Sequence, residues 1–530
     1  MHDVTLLLLV LIPLVGSIGV FALKEAQAKL AKQISLGVSL IVVVYTMVVL
    51  FSFDTGKGAD RFQYQGSWTW IKAFGVHIAF GVDGIALVLV AMSVLLVPAV
   101  ILASWNTLDS RSGAEERAPV LRKRPTADAP RRRNSVTNYF GLLLLLEFFM
   151  IGVFTATDVF LFYVFFEAML VPMYFIIGSF GGPRRQYAAM KFFLYSLVGG
   201  LLMLASVIGL YLTNHSRSFS ITALIDNPLP NDATQKWLFL GFFIAFAIKA
   251  PLVPFHTWLP DAGAEAPAGG AALLVGVLDK VGTFGFLRYC LPLFPGASRF
   301  FAPAILVLSV IGILYAAFLA IGQRDMKRLV AYTSVAHFGF IGLGIFAFTT
   351  QGGTGAVLYM VNHGFSTGAL FIVVGLLIAR GKSRNVDDYG GVAKVTPILA
   401  GLFLLTGLSA LALPGMSTFV SEFLVLVGTF TRHKGYAIIA TAGIVLAAIY
   451  VLYLYQRAFQ GRLNEKVAKF RDVNVREIFA VAPLLAIIVF LGVYPKPVLD
   501  VINPAVKDTL SDVHKTDPTP KYGPVAGGRP

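Results

Sequence analysis

The chain has a single cysteine, Cys290, among 530 residues, and few charged side chains. One cysteine excludes an intrachain disulfide, and no group of cysteine and histidine residues has the spacing of a zinc or iron–sulfur site. We therefore expect no metal and no cofactor in this chain. Charged residues make up only 13% of the sequence and hydrophobic residues 57%, which excludes an ordinary soluble globular protein.

The hydrophobic residues lie in long runs, each close to the roughly 20 apolar residues that cross a bilayer as a helix. The first run lacks the basic leader and the cleavage site of a signal peptide, so we count it as a span. The pattern predicts an all-α polytopic membrane protein with about 14 transmembrane helices. The runs lie near 4–22, 34–53, 78–104, 139–156, 159–178, 192–213, 238–258, 270–290, 301–321, 329–349, 355–379, 397–430, 436–456 and 477–499.

The formal net charge of +15 would suggest nucleic acid as a partner of a soluble protein, but here its distribution indicates topology. Alternate loops hold about 27 Lys and Arg residues, against about 13 in the opposite set together with the C-terminal tail. By the positive-inside rule the richer set is cytoplasmic, and an even number of spans leaves both termini on the periplasmic side. The richer loops are 24–33, 105–134, 179–191, 322–328, 380–396 and 456–476.

This topology predicts a multi-pass protein of the bacterial cytoplasmic membrane, with the mitochondrial inner membrane as the alternative. The lipid bilayer is then a partner and nucleic acid is not. The basic run from Arg111 to Arg133 either contacts anionic lipid or a partner subunit, or is a solvated loop.

Two of the spans contain helix breakers, which in transporters often mark the transport site. The first is AIKAPLVPFHTWLP, residues 247–260, where Pro251 and Pro254 remove two backbone donors beside Lys249. The second is GLSALALPGMSTFVSEF, residues 407–423, where a Pro-Gly pair precedes Glu422 by about eight residues, or ~12 Å of regular helix. Unwound backbone within a membrane has to face protein or a water-filled cavity, so both breaks should line an internal polar channel.

One sequence offset of about 162 residues relates the two breaks and also the spans that begin near Tyr139 and Phe301. A tandem duplication of five spans is the simplest explanation. Because five is odd, the second copy enters the membrane from the other side, which predicts two inverted five-helix repeats. We divide the chain into three N-terminal spans with a basic loop (1–138), a first repeat (139–290), a second repeat (301–456) and a last span with the tail (457–530).

Several ionisable side chains lie deep within predicted spans, where a charge costs about 2.5 to 3.5 kcal/mol even on a lenient insertion scale. Such groups usually pair inside a bundle or line a water-filled path, so we interpret them as a proton relay. Histidine suits this role because it exchanges a proton near neutral pH. The candidate relay residues are Glu167, Lys249, Lys280, Glu422, His337, His363, Glu147 and His256.

Each candidate also has a purely structural interpretation. Glu167 and Lys249 could form a salt bridge that only holds two helices together. The histidines could be satisfied packing residues, and His256 could cap carbonyls exposed by the first break. Arg288, near the end of its span, is explained by snorkelling to the membrane surface. Asp279 is adjacent to Lys280 in sequence, but neighbours on a helix point about 100° apart, so we do not expect it to be the direct partner.

Four segments of the chain, read in order, resemble the antiporter-like subunits of respiratory complex I, NADH:quinone oxidoreductase. These segments are KAPLVPFHTWLPDAGAEAP, LDKVGTFGFLRY, NHGFSTGALF and PGMSTFVSEF. The resemblance covers nearly all of the predicted spans. By motif, Glu167 matches the family's glutamate of the fifth span, Lys249 its broken-helix lysine, Lys280 its central lysine and Glu422 its terminal residue. Because the L and N types typically carry lysine at this terminal position, the glutamate makes the chain similar to the M type.

The resemblance implies a core of fourteen helices with two inverted repeats, and a central line of charged and histidine residues that conducts protons. It also implies L-type and N-type antiporter-like neighbours, with FMN, iron–sulfur clusters and quinone held by other subunits. One position departs from the family, which often has histidine where this chain has Gly263. A proton uptake route through that histidine is therefore doubtful here.

We hypothesise that the chain conducts protons as a subunit of this oxidoreductase, without bond chemistry of its own. Quinone reduction elsewhere would separate Glu167 from Lys249 and drive a proton through Lys280 and the histidines towards Glu422. One alternative is a subunit of a multisubunit Mrp-type cation/proton antiporter, which shares the helical core. The other is a non-conducting scaffold whose buried charges only lock the helices together.

Overall fold

A computed structural model describes residues 3–56, 58–106, 135–214, 216–229 and 231–519. The basic run from Arg111 to Arg133 and the last eleven residues, 520–530, lie outside the described residues.

The described chain is mostly helical, as the hydrophobic pattern predicts. Helices suit this sequence because every backbone donor and acceptor is satisfied within the segment, which a bilayer requires. The helices are α1 (Thr5–Phe21), α2 (Ala28–Phe51), α3 (Gly84–Ser104), α4 (Val136–Thr155), α5 (Val159–Phe180), α6 (Arg185–Thr213), α7 (Ile221–Asp226), α8 (Asp232–Lys249), α9 (Trp258–Glu265), α10 (Ala268–Leu293), α11 (Pro295–Ile321), α12 (Met326–Phe346), α13 (Thr350–Gly381), α14 (Pro397–Ala410), α15 (Ser417–Arg432), α16 (Lys434–Phe459), α17 (Val475–Val493) and α18 (Lys496–Asp512).

Eleven of the described helices are long and apolar enough to cross a membrane, which confirms a multi-pass membrane protein. The helices α1 and α14 are apolar but shorter. Both predicted breaks are present, because α8 ends at Lys249 before α9 begins at Trp258, and α14 ends at Ala410 before α15 begins at Ser417.

A β-hairpin interrupts the helices and was not predicted from the sequence. Its antiparallel strands are β1 (Gln63–Ile71) and β2 (Val76–Val82), with Gly75 in the left-handed region between them. The predicted span 78–104 therefore begins too early, since its first residues belong to β2. The helix starts only at Gly84, where the carboxylate of Asp83 accepts a hydrogen bond from the backbone N–H of Ala86.

The bundle has two distinct ends, which we name by their contents. At the hairpin end, the N–H of His77 donates to Asp158 at the start of α5, over 3.0 Å. At the basic end, the N–H of Gly182 donates to the carbonyl of Glu265 over 2.8 Å, and Arg384 pairs with the carboxylate of Glu265. Loops 179–191, 322–328 and 380–396, which the charge pattern groups on one side of the membrane, thus meet at the basic end.

The described chain termini both lie at the hairpin end. The N–H of Asp3 donates to the carbonyl of Gln65 in β1, and the carboxylate of Asp517 accepts from the N–H of Thr350 at the start of α13. The amphipathic helix α18 also crosses this end, where Arg61 of the hairpin binds Asp512 in a two-point ion pair with N–O distances of 3.2 and 2.6 Å.

One capping arrangement occurs twice. Asp158 caps α5 by accepting from the N–H groups of Phe160 and Leu161, and it forms an isolated antiparallel bridge with Ser220. Asp325 caps α12 in the same way and bridges Asn385. The first cap lies at the hairpin end and the second at the basic end, where Arg384 binds Asp325 at 3.3 Å.

Candidate functional site

The centre of the bundle is α10, which is buried along its whole length. A helix that is apolar on all sides belongs in the core of a large bundle. It contains two π-helical turns, Leu274–Leu278 and Phe286–Cys290, on either side of Lys280. Turns of this kind widen the helix locally and are frequent at functional sites.

Lys280 is completely buried, and its ammonium group has two close partners. It donates to the carbonyl of Val275 in its own helix at 2.5 Å and contacts Nδ1 of His363 in α13 at 2.6 Å. An ammonium group has no acceptor, so Nδ1 accepts and the hydrogen of a neutral His363 ring is on Nε2. The ring of Phe338 lies 5.3 Å from the ammonium and covers its remaining side.

The imidazole of His363 leads to that of His337 in α12, with ring centroids 5.1 Å apart. Neither Nε2 atom has a hydrogen-bond partner within the described ranges. The step between the two imidazoles is therefore the one link in this part of the line that lacks a direct hydrogen bond.

Tyr359 connects His337 to Glu422. Its hydroxyl lies 2.5 Å from Nδ1 of His337 and donates to Oε2 of Glu422 in α15 over 3.0 Å. Because the hydroxyl hydrogen is directed to the carboxylate, Nδ1 of His337 is the donor to the hydroxyl oxygen. Asn362 links α13 to α15 at this point by donating a hydrogen bond to the carbonyl of Ser417 over 2.6 Å.

Lys280, His363, His337, Tyr359 and Glu422 thus form one buried line across four helices, which we call the polar line. Four of these residues were predicted from the sequence. Tyr359 was missed, although it precedes His363 by four residues and so lies on the same helix face.

Glu167 and Lys249 lie in the first half of the molecule and do not form a direct ion pair. The ammonium of Lys249 has no hydrogen-bond partner among the described residues, and it lies over the ring of Phe166 at 4.7 Å. The carboxylate of Glu167 packs against Gly200 in α6, where a Cβ atom would lie only 1.7 Å from Oε1.

The structure does not connect Glu147 or His256 to the polar line. Glu147 is fully buried in α4, and neither of its carboxyl oxygens has a hydrogen-bond partner in the described part of the chain. His256 lies in the segment between α8 and α9, with its ring edge-on to Tyr315 at 5.4 Å.

Three details at the membrane-embedded residues differ from or extend the sequence analysis. Arg288 does not snorkel, because it is only 5% exposed and binds Asp83 at 2.6 Å. The carbonyl of Ala247 at the first break accepts from the N–H of Leu252 at 2.9 Å. At Gly263, a Cβ atom would lie 3.3 Å from that of Ala331, a tight contact that a larger residue would relieve only by a small shift of α12.

In the ranges that the structure describes, no group of three or more His, Cys, Asp or Glu residues could hold a metal ion. The polar line itself contains an ammonium, two imidazoles, a phenol and a carboxyl group. Each of these groups can give or accept a proton, and the sequence of contacts defines an order for the transfer.

Residues 156–449, more than half of the chain, match the family model described as NADH:quinone oxidoreductase/Mrp antiporter, TM. A relative from Mycobacterium tuberculosis, NADH-quinone oxidoreductase subunit M, is 47% identical, and the alignment covers 96% of this chain and 94% of the relative. The chain belongs to the subunit M family.

A member of this family should have the fold of a complex I chain, and the structural comparison agrees. A chain in the structure of respiratory complex I from Thermus thermophilus with bound NADH matches with a TM-score of 0.84 and 29% identity, covering 96% of this chain and 99% of that one. A chain of the Mrp complex from Dietzia sp. DQ12-45-1b matches with a TM-score of 0.81 over 97% and 99% of the two chains, but at 18% identity it shows the fold alone.

Proposed function

We propose that this member of the subunit M family is a proton-translocating membrane subunit of NADH:quinone oxidoreductase. The observation that carries the proposal is the polar line, in which buried groups that exchange protons follow one another from Lys280 to Glu422. Burying so many polar groups is costly unless they serve one another or a transport path. The chain does no bond chemistry itself and acts as part of the enzyme complex.

The proposed path has an input half and an output half. Glu167 and Lys249 receive the driving signal as a change in the distance between their charges. Lys280 then gives a proton to His363, which passes it to His337. Tyr359 takes the proton on its hydroxyl oxygen while donating its own hydrogen to Glu422, so the phenol is restored in the same step.

Two further candidates remain outside this path. His256 remains a candidate for proton uptake, since it lies in the break that follows Lys249. Glu147 remains a candidate relay group because it is a buried carboxyl without a hydrogen-bond partner among the residues that the structure describes. Uptake through a histidine at position 263 is excluded, because Gly263 occupies that position.

We further propose fourteen spans and two inverted five-helix repeats. The eleven long helices, α1 and the two broken pairs, α8 with α9 and α14 with α15, give fourteen segments. The helices from α4 to α10 and from α11 to α16 each form five such segments, with the break in the fourth. The two Asp-capped ends support an inversion, because Asp158 lies at the hairpin end and Asp325 at the basic end.

The two sets of five segments support our division of the chain into the units 1–138, 139–290, 301–456 and 457–530. With the basic end in the cytoplasm, both termini face the periplasm of a bacterial cytoplasmic membrane. The neighbours are the L-type and N-type antiporter-like subunits, while FMN, iron–sulfur clusters and quinone belong to other subunits of the assembly. The alternative, an Mrp-type antiporter, has weaker support because that structural match is only 18% identical.

The experiment that tests this function is purification of the assembly that contains this chain, followed by reconstitution into liposomes. We expect NADH oxidation by quinone to acidify or alkalise the lumen without any requirement for sodium. Sodium-dependent proton exchange in the absence of NADH would instead establish the Mrp-type alternative. If an intact assembly shows neither of these activities, that result would support the scaffold hypothesis.

A further inference from the structure

Asp279 is a buried carboxylate that the polar line does not use. It is completely buried in α10, and neither carboxyl oxygen has a hydrogen-bond partner among the described residues. A carboxylate without hydrogen bonds is costly in an apolar core, and it is normally compensated by a nearby cation. The compensation for Asp279 therefore has to come from charge.

The packing of α10 directs Asp279 towards the end of α8. Gly282, three residues later and on the same face, lies so close to α8 that a Cβ atom would be 2.5 Å from both the nitrogen of Ala250 and the carbonyl oxygen of Phe246. Lys249 is the last residue of α8 and the neighbour of Ala250. Asp279 consequently lies on the α10 face that meets the helix end carrying Lys249.

The charges in this region support that placement. Lys280 follows Asp279 in α10, and Lys249 ends the helix that packs against Gly282. Two lysines and Glu167 alone would leave one positive charge in excess in a buried region. With Asp279 the four side chains can be charge-balanced.

We propose that Asp279 is the counter-ion shared by Lys249 and Lys280, and that it transmits the displacement of charge at Glu167 to the polar line. This inference depends on the proposed function and adds a positioning residue to it. When Glu167 is near Lys249, Asp279 stabilises the Lys280 ammonium. When Glu167 moves away, Asp279 stabilises Lys249 instead, and Lys280 gives its proton to Nδ1 of His363.

The test uses the complete complex in liposomes and compares protons moved per NADH oxidised. Asp279→Asn removes the charge with little change of shape, and Asp279→Leu removes it in an apolar form that buried sites often accept. Asp279→Glu retains the carboxylate. Thr283→Val, one helical turn away, is the matched control because it removes a buried polar atom without removing a charge.

We expect both neutral variants to lower proton flux about tenfold or more, since a neighbouring opposite charge changes proton affinity by about tenfold or more. Asp279→Glu should retain a substantial part of the flux, and Thr283→Val should resemble the wild type. If either neutral variant assembles and pumps at the wild-type ratio, the role of Asp279 is wrong. If Lys280→Met also pumps at that ratio, the proposed function itself fails, so the two failures are distinguishable.

Discussion

At the scale of single residues, the polar line depends on contacts that one atom can break. Tyr359 is the clearest case, because its hydroxyl is the only group placed between Nδ1 of His337 and Oε2 of Glu422 in the described structure. A hydroxyl both accepts and donates, so it can pass a proton on without keeping a charge. Its aromatic ring contributes packing that a phenylalanine would preserve.

We therefore predict that Tyr359→Phe leaves assembly intact and lowers proton flux through this subunit by about a hundredfold, the lower end of the range for a positioned proton donor. The measurement is the number of protons moved per NADH oxidised in liposomes. The control is Tyr289→Phe, which removes an equally buried hydroxyl that donates to the carbonyl of Ala156. Normal pumping by assembled Tyr359→Phe would show that the hydroxyl is not part of the path.

The sequence predicts the charged and histidine members of the line because a polar side chain in a long apolar run stands out. Lys280, His363, His337 and Glu422 are all recognised in this way. Tyr359 is not, since a tyrosine in an apolar helix is unremarkable until the helix packing shows what its hydroxyl touches. The absence of a direct Glu167–Lys249 contact likewise depends on how α5 and α8 pack, which no local pattern encodes.

At the scale of elements, the hairpin and α18 form a layer across one end of the bundle. The hairpin was missed because β2 is apolar and leads directly into α3, so hydropathy alone merges the two. What separates them is Asp83, which caps α3 and also binds Arg288. A buried arginine near a span end can therefore indicate a partner on the adjoining element rather than snorkelling.

The layer is held by the ion pair between Arg61 and Asp512, which has two N–O contacts and is mostly shielded from solvent. We predict that Asp512→Asn weakens the attachment of α18 by about 1 to 3 kcal/mol. Limited proteolysis of the C-terminal segment in the detergent-solubilised complex measures this attachment.

Asp500→Asn is the matched control, because it removes an exposed ion pair with Lys496 within α18 itself. That change should alter the attachment by less than about 0.5 kcal/mol. Equal protease sensitivity of the two variants would show that the Arg61 contact does not hold the layer.

At the scale of the whole molecule, the two halves have different roles in the proposed path. The first half carries Glu167, Lys249 and Asp279, for which the described part of the structure shows no hydrogen-bond partner, and on the proposed path these charges respond to a moving charge. The second half carries the polar line, whose members are already in contact. α10 belongs to the first half, but Lys280 reaches across to His363 in the second. On the proposed path, the proton therefore passes between the halves at Lys280.

How the halves relate was partly accessible from the sequence. The offset between the two breaks is nearly the same as that between the first spans of the two blocks, which predicts a duplication. The alternation of basic loops predicts which helix ends lie on the same side of the membrane. The meeting of Gly182, Glu265 and Arg384 at the basic end agrees with that alternation. The segment lengths and the exact start of each repeat depend on caps such as Asp158 and Asp325, whose bridges to distant residues no periodicity reveals.

The central claim is that protons cross between the halves at Lys280, and the most direct test is the ratio of protons moved to NADH oxidised in Lys280→Met. The account predicts a lower ratio in a fully assembled complex, because a thioether side chain cannot donate a proton to His363. Lys236→Met, which removes a half-buried lysine paired with the exposed Asp232 and outside the polar line, should leave the ratio unchanged. A wild-type ratio in assembled Lys280→Met would contradict the account.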